Sequence, residues 1–154
     1  MVCSTKWMFA ALLILPVAAQ AQIQPGQWQT TVTIKSMDMP DAPPQIAQMM
    51  RSRMAGGKPT QTSYCVTAEQ AAKGPQELLK QNPSCRFTKF STANGVIATE
   101  MTCAQNGGTM TARGKGTYTA DSFDVSSTAV ISGQMSMQVT SNMVGRRIGP
   151  CTGK

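Results

Sequence analysis

"CRFTKFSTANGVIATEMTC", Cys85 to Cys103, decides how this chain is read. Two cysteines bracket a run that alternates like a strand, turns at Asn94-Gly95 and alternates back. Asn-Gly between alternating stretches is the strongest short-range hairpin signal, because both residues tolerate positive φ. With Ala93-Asn94-Gly95 as the loop, Cys85 faces Cys103, Phe87 faces Met101 and Ser91 faces Ile97. Opposed Cα atoms in antiparallel strands lie about 4.5–5.5 Å apart, within reach of a disulfide. A two-residue Asn94-Gly95 turn would instead slip the register and move the cysteines out of line. If Cys85 bonds Cys103, Cys65 and Cys151 form the second pair.

The rival readings of these thiols need other spacings. Zinc sites use close cysteine or cysteine–histidine pairs, whereas here the cysteines stand 20, 18 and 48 residues apart and the chain has no histidine. No C-x-x-C is present for thiol redox chemistry.

The compartment follows from the N-terminus. "MVCSTKWMFAALLILPVAAQAQ" has Lys6, an apolar run from Trp7 to Ala19 and an Ala19-Gln20-Ala21 cleavage site. That is the pattern of a secretory signal peptide, too short an apolar run for the ~20 residues that span a bilayer. Residues 1–21 are expected to be cleaved, leaving 22–154 as one β-rich, disulfide-stapled domain. Cys3 leaves with them, and an even cysteine count in an exported chain favours disulfides. Removing Met1–Ala21 takes one lysine and no acid, so the net charge of +7 falls to about +6. A basic balance speaks to solubility rather than to a partner. Export excludes nucleic acid, and no other apolar run is long enough to cross a membrane.

The rest of the chain extends the hairpin into a sheet. In "PGQWQTTVTIKS", Trp28, Thr30, Val32 and Ile34 share a face, the period-two pattern of a strand. "PPQIAQMMRSRMAGGK" places Ile46, Met49, Met50 and Met54 at helical spacing. "QTSYCVT" is a short strand, and Thr67 with Gln70 forms a capping box for a second short helix, interrupted at Gly74-Pro75, with a further turn through Leu79. A turn at Ala120-Asp121 puts Tyr118 opposite Phe123, Gly116 opposite Val125, Ala112 opposite Ala129 and Met110 opposite Ile131. A three-residue loop, Ser132-Gly133-Gln134, keeps Ile131 and Met135 on one side, and Met137, Val139, Ser141 and Met143 continue that face. The expected fold is mainly β: a single antiparallel meander sheet of about 6–7 strands, curved or barrel-like, with one or two short helices.

These stretches carry a family likeness. "PGQWQTTVTI", "YCVTAEQA", "CRFTKF", "GGTMTARGKGTYTADSFDVSSTAVI" and "GRRIGPC" occur here in order over essentially the whole of 22–154. Together they resemble the family known as domain of unknown function 3617. The resemblance implies a small exported proteobacterial protein, periplasmic or secreted in a Gram-negative cell, β-rich and with four cysteines. It implies no activity.

Little in the chain suits catalysis. Without histidine there is no Ser-His or Cys-His nucleophile. Asp121 and Asp124 sit at a hairpin tip, where acids serve the turn. Glu100 is expected to point outward near Arg86 and Thr88, and Arg146-Arg147 reads as a solvated pair on a sheet edge. Ten of the twelve methionines lie beyond residue 21, and thioethers suit Cu(I), although methionines also fill irregular cores. Gly114 and Gly116, beside Trp28, Tyr118 and Phe123, make a possible ligand face, since strand glycines leave room for a ligand. The expected role is an uncharacterised, non-catalytic binding or structural module of the cell envelope. It has no cofactor, its partner is a small apolar ligand or an envelope protein, and its oligomeric state is open. The alternative is a methionine-based copper(I) binder, with an enzyme ranking below both.

Overall fold

A computed structural model describes residues 23–55, 57–74, 76, 84–105, 107–133 and 136–152. The expected signal peptide, the turn through Leu79, and Met135 fall outside them. In chain order the elements are β1 (Gly26–Asp38), α1 (Pro44–Ala55), β2 (Thr60–Val66), α2 (Ala68–Ala72), β3 (Cys85–Ala93), β4 (Val96–Gln105), β5 (Gly108–Tyr118), β6 (Ser122–Ser132) and β7 (Met137–Gly149). The strands form one antiparallel seven-stranded sheet in the order β2-β1-β7-β6-β5-β4-β3. The sheet is open, because its outer strands β2 and β3 do not pair with each other.

The meander runs unbroken from β3 to β7; β1 then joins at β7, and β2 beyond it. Strands spaced about 4.8 Å apart put β2 and β3 about 29 Å from each other along the sheet. β7 is therefore a central strand. The edge reading of Arg146-Arg147 is corrected: β7 lies between β6 and β1, and the Arg147 guanidinium donates from Nε to the Pro25 carbonyl at 2.8 Å.

The opening hairpin holds the register of its cysteines by two compensating features. Asn94 (φ 50°) and Gly95 (φ 76°) form a two-residue turn, so Ala93 faces Val96 and Thr92, not Ser91, faces Ile97. A bulge between Phe87 and Lys89 then takes up one residue, and Phe87 faces Met101 and Cys85 faces Cys103 after all. A bulge sets two residues against one, reversing the one-residue slip that the shorter turn introduces. Cys85 is bonded to Cys103 and Cys65 to Cys151, with Cα atoms 4.0 and 5.4 Å apart. Each edge strand has one neighbour, and each is held by one of these bonds.

The β5–β6 register is as expected: Tyr118 faces Phe123, Gly116 faces Val125, Ala112 faces Ala129 and Met110 faces Ile131. At the next hairpin Ile131 faces Met137 rather than Met135. The two-residue difference leaves the apolar face intact, because strand side chains repeat every second residue.

The core gathers at one end of the sheet. Trp28, Val66, Ile97, Tyr118, Phe123 and Val125 form a buried cluster with Ile23 and with Ala71 of α2. The capping box sets α2 there: Thr67 Oγ1 accepts from the Gln70 amide at 3.2 Å, and Gln70 Oε1 accepts from the Thr67 amide at 2.9 Å. Helix α1 packs against β1, with Met39 and Ala47 buried beside it.

Candidate functional site

The expected ligand face is assembled, but its space is taken. Trp28 is 0% exposed. Its ring stacks on Phe123 with centroids 6.1 Å apart and planes 20° apart, and its indole N–H donates to the Gln24 carbonyl at 3.0 Å. Tyr118 is buried in the same cluster. A Cβ on Gly114 would stand 2.7 Å from Thr99 Oγ1 and 3.1 Å from Val125 Cγ1, and one on Gly116 would run into the Asp124 carbonyl. Gly145, which faces Phe123 across β6 and β7, would push its Cβ into the Phe123 ring. The glycines make room for the protein's own Phe123, Val125 and Thr99. The reading of Trp28, Gly116, Tyr118 and Phe123 as an open ligand face is therefore corrected to a packed core, with Gly114 at its border against Thr99 and Val125.

The same face continues differently toward the other end of the strands. Register and alternation lay out rows across it. One row joins Phe90, Thr99, Gly114, Ser127, Ser141 and Ile34. The next joins Phe87, Met101, Ala112, Ala129, Val139 and Met37. The last joins Cys85, Cys103, Met110, Ile131 and Met137. The middle of the first two rows is small: glycine, alanine and serine on β5 and β6, with Ser127 and Ser141 sharing a hydrogen bond of 2.9 Å. Around that floor stand Phe87, Phe90, Met101, Met110, Ile131, Val139 and Met37, all half-buried, with Ile34 45% exposed. Of the described helices, α1 lies against β1, with Arg53 beside Val32 and Ile34 at the border of these rows, and α2 enters the buried cluster through Ala71.

Sequence reasoning missed the aromatic wall. In a regular strand Phe87 and Phe90 point to opposite faces. The bulge between Phe87 and Lys89 brings both to the inner face, where their rings meet edge-on at 5.4 Å. The signal was present in the sequence: two aromatics three apart in an otherwise alternating strand. A second bulge, between Ile34 and Ser36, does the same for Ile34 and Met37.

The outer face is polar. Glu100 stands 3.6 Å from Lys89 and 3.5 Å from Arg113. Lys89 takes the place expected for Thr88, because the bulge displaces Thr88 from the register. A hollow of about 580 Å³ on this side is lined by Thr88, Glu100, Thr102, Thr111, Arg113 and Thr128 among others. Its charged groups are already paired with one another.

The methionines spread across the inner face, with Met101 and Met110 diagonal neighbours on β4 and β5. Met101 Sδ lies 3.9 Å from Cys103 Sγ, and that sulfur is tied up in a disulfide. Met110 and Met137 are two strands apart, with Ile131 between them, about 10 Å at ordinary strand spacing. Among the described residues no three of His, Cys, Asp and Glu converge, and no helix is long and apolar enough to cross a membrane.

Burial raises the Tyr64 phenol above its ordinary 10.0, partly offset by the hydrogen bond from Thr30, whose hydroxyl donates to Tyr64 Oη at 3.3 Å. Glu69 is held below the usual carboxylate value by its hydrogen bond and charge attraction to Lys73, 3.0 Å away.

A family model described as protein of unknown function, DUF3617, matches residues 23–151. No curated protein and no solved structure matches.

Proposed function

The chain belongs to the protein family of unknown function DUF3617, and from that premise we propose that it is a non-catalytic binding module of an oxidising, extracytoplasmic compartment. Its apolar ligand or partner group occupies the open half of the inner face. The observation that carries the proposal is the contrast within one face. Trp28, Ile97, Phe123 and Val125 are buried, whereas Phe87, Phe90, Met101, Met110 and Ile131 stay half-buried around a floor of half-buried Gly114, Ser127 and Ala129 and buried Ala112.

Ligand sites are mostly apolar surfaces with a few placed polar groups, and here the Ser127–Ser141 pair supplies the polar element. The two disulfides suit an oxidising compartment. The test is titration with a neutral apolar fluorophore, with Ala129→Trp as the variant that fills the floor. Saturable binding lost in A129W supports the reading. Equal binding by both proteins, or none by either, sinks it. The copper(I) reading is tested alongside by competition with a weak chelator, and the placement of the methionines does not favour it.

A further inference from the structure

The two edges of the sheet are built differently. Strand β3 carries Arg86 and Lys89 and is kinked by its bulge, the usual means of keeping an edge from recruiting another strand. Strand β2, Thr60-Gln61-Thr62-Ser63-Tyr64-Cys65-Val66, has no charged residue and no proline. It pairs with β1 without a register shift, and Thr60–Ser63 are exposed. Among the described residues β1 is its only paired strand, so its outward N–H and C=O groups form an uncharged template.

We propose that β2 is a self-association edge, taking the β2 strand of a second copy in antiparallel register about Ser63. Full overlap of the seven residues puts Ser63 opposite Ser63, Thr62 opposite Tyr64 and Thr60 opposite Val66. A two-fold interface brings the same surface from both copies together, so a charged strand would repel itself and an uncharged one does not. The flanking charges select the antiparallel direction. Lys58 precedes the strand and Glu69 follows it, both exposed. Antiparallel pairing brings Lys58 of one copy toward Glu69 of the other at both ends, where Glu69 also holds its own Lys73, whereas parallel pairing sets Lys58 beside Lys58. Opposed residues in an antiparallel pair project to one side, so the inner faces of the two copies join into one surface.

The test is sedimentation of the purified protein over a range of concentrations, with Ser63→Lys and, at the opposite edge, Ser91→Lys. The expected result is a rise from one chain to two in the wild type and S91K, and a single chain throughout in S63K. Circular dichroism checks that S63K stays folded. Amide exchange gives a second readout, in which β2 amides gain protection with concentration. A wild type that stays a single chain throughout overturns the proposal, and so does a dimer that survives S63K.

Discussion

The inner face holds two ends made from the same strands and finished differently. At one end, large side chains meet glycines: Phe123 faces Gly145 and Val125 faces Gly116, and the spaces close. At the other, small meets small, Ala112 facing Ala129 and Gly114 facing Ser127, and the bulk stands around the rim. The open end breaks alternation at the two bulges, but across β5 and β6 both ends alternate, and what differs there is which sizes oppose each other. Interiors are close-packed, and complementary sizes make the first end a core. Among the described residues, the second end keeps half-buried apolar side chains around its small floor.

The two ends also differ in their disulfides. Cys65–Cys151, near the packed end, closes 86 residues, and Cys85–Cys103, at the open end, closes 18. Chain entropy puts their loss at about 4.5 and 3 kcal/mol respectively, measurable as urea midpoints of the paired serine variants. Equal losses would break the comparison at its base. Truncation comes next. Trp28→Ala is expected to cost about 3–5 kcal/mol, as for large buried aromatics, while Phe90→Ala on the open wall costs about 1 kcal/mol. Overpacking sharpens the same point: Gly145→Ala drives a methyl into the Phe123 ring and costs about 1–3 kcal/mol, whereas Ala129→Leu at the open end stays within about 0.5 kcal/mol.

The smallest expected effect is a pH dependence. Burial holds Tyr64 above its ordinary 10.0, so the folded state keeps the phenol proton more tightly than the unfolded chain. That stability is whole below pH 10 and is lost as the pH rises through the folded value. Tyr64→Phe removes this loss, and comparing both proteins in urea at pH 8 and pH 11 measures it.

Much of the sheet was legible because alternation and turn residues are local. Trp28, Thr30 and Val32 read as one face, the β5–β6 register followed from one turn, and Thr67 with Gln70 marked α2. The cysteine pairing also followed, although the two-residue turn and the bulge hid inside it as offsetting departures. What was not legible is long-range. Nothing local tells β1 to pair with β7, which puts Arg147 inside the sheet rather than at its edge. Nor does local sequence say whether a glycine's space is filled from across the sheet, and so alternation alone points to Trp28 and Phe123 as a ligand face.

The most direct measurement uses methionine methyl groups as reporters of the two ends. Met143 lies against the packed cluster, and Met101, Met110 and Met137 line the open end. In methyl-labelled protein titrated with a neutral apolar ligand, the account predicts NMR shifts at Met101, Met110 and Met137 with Met143 unmoved. Shifts centred on Met143, or none at the open end, would contradict it.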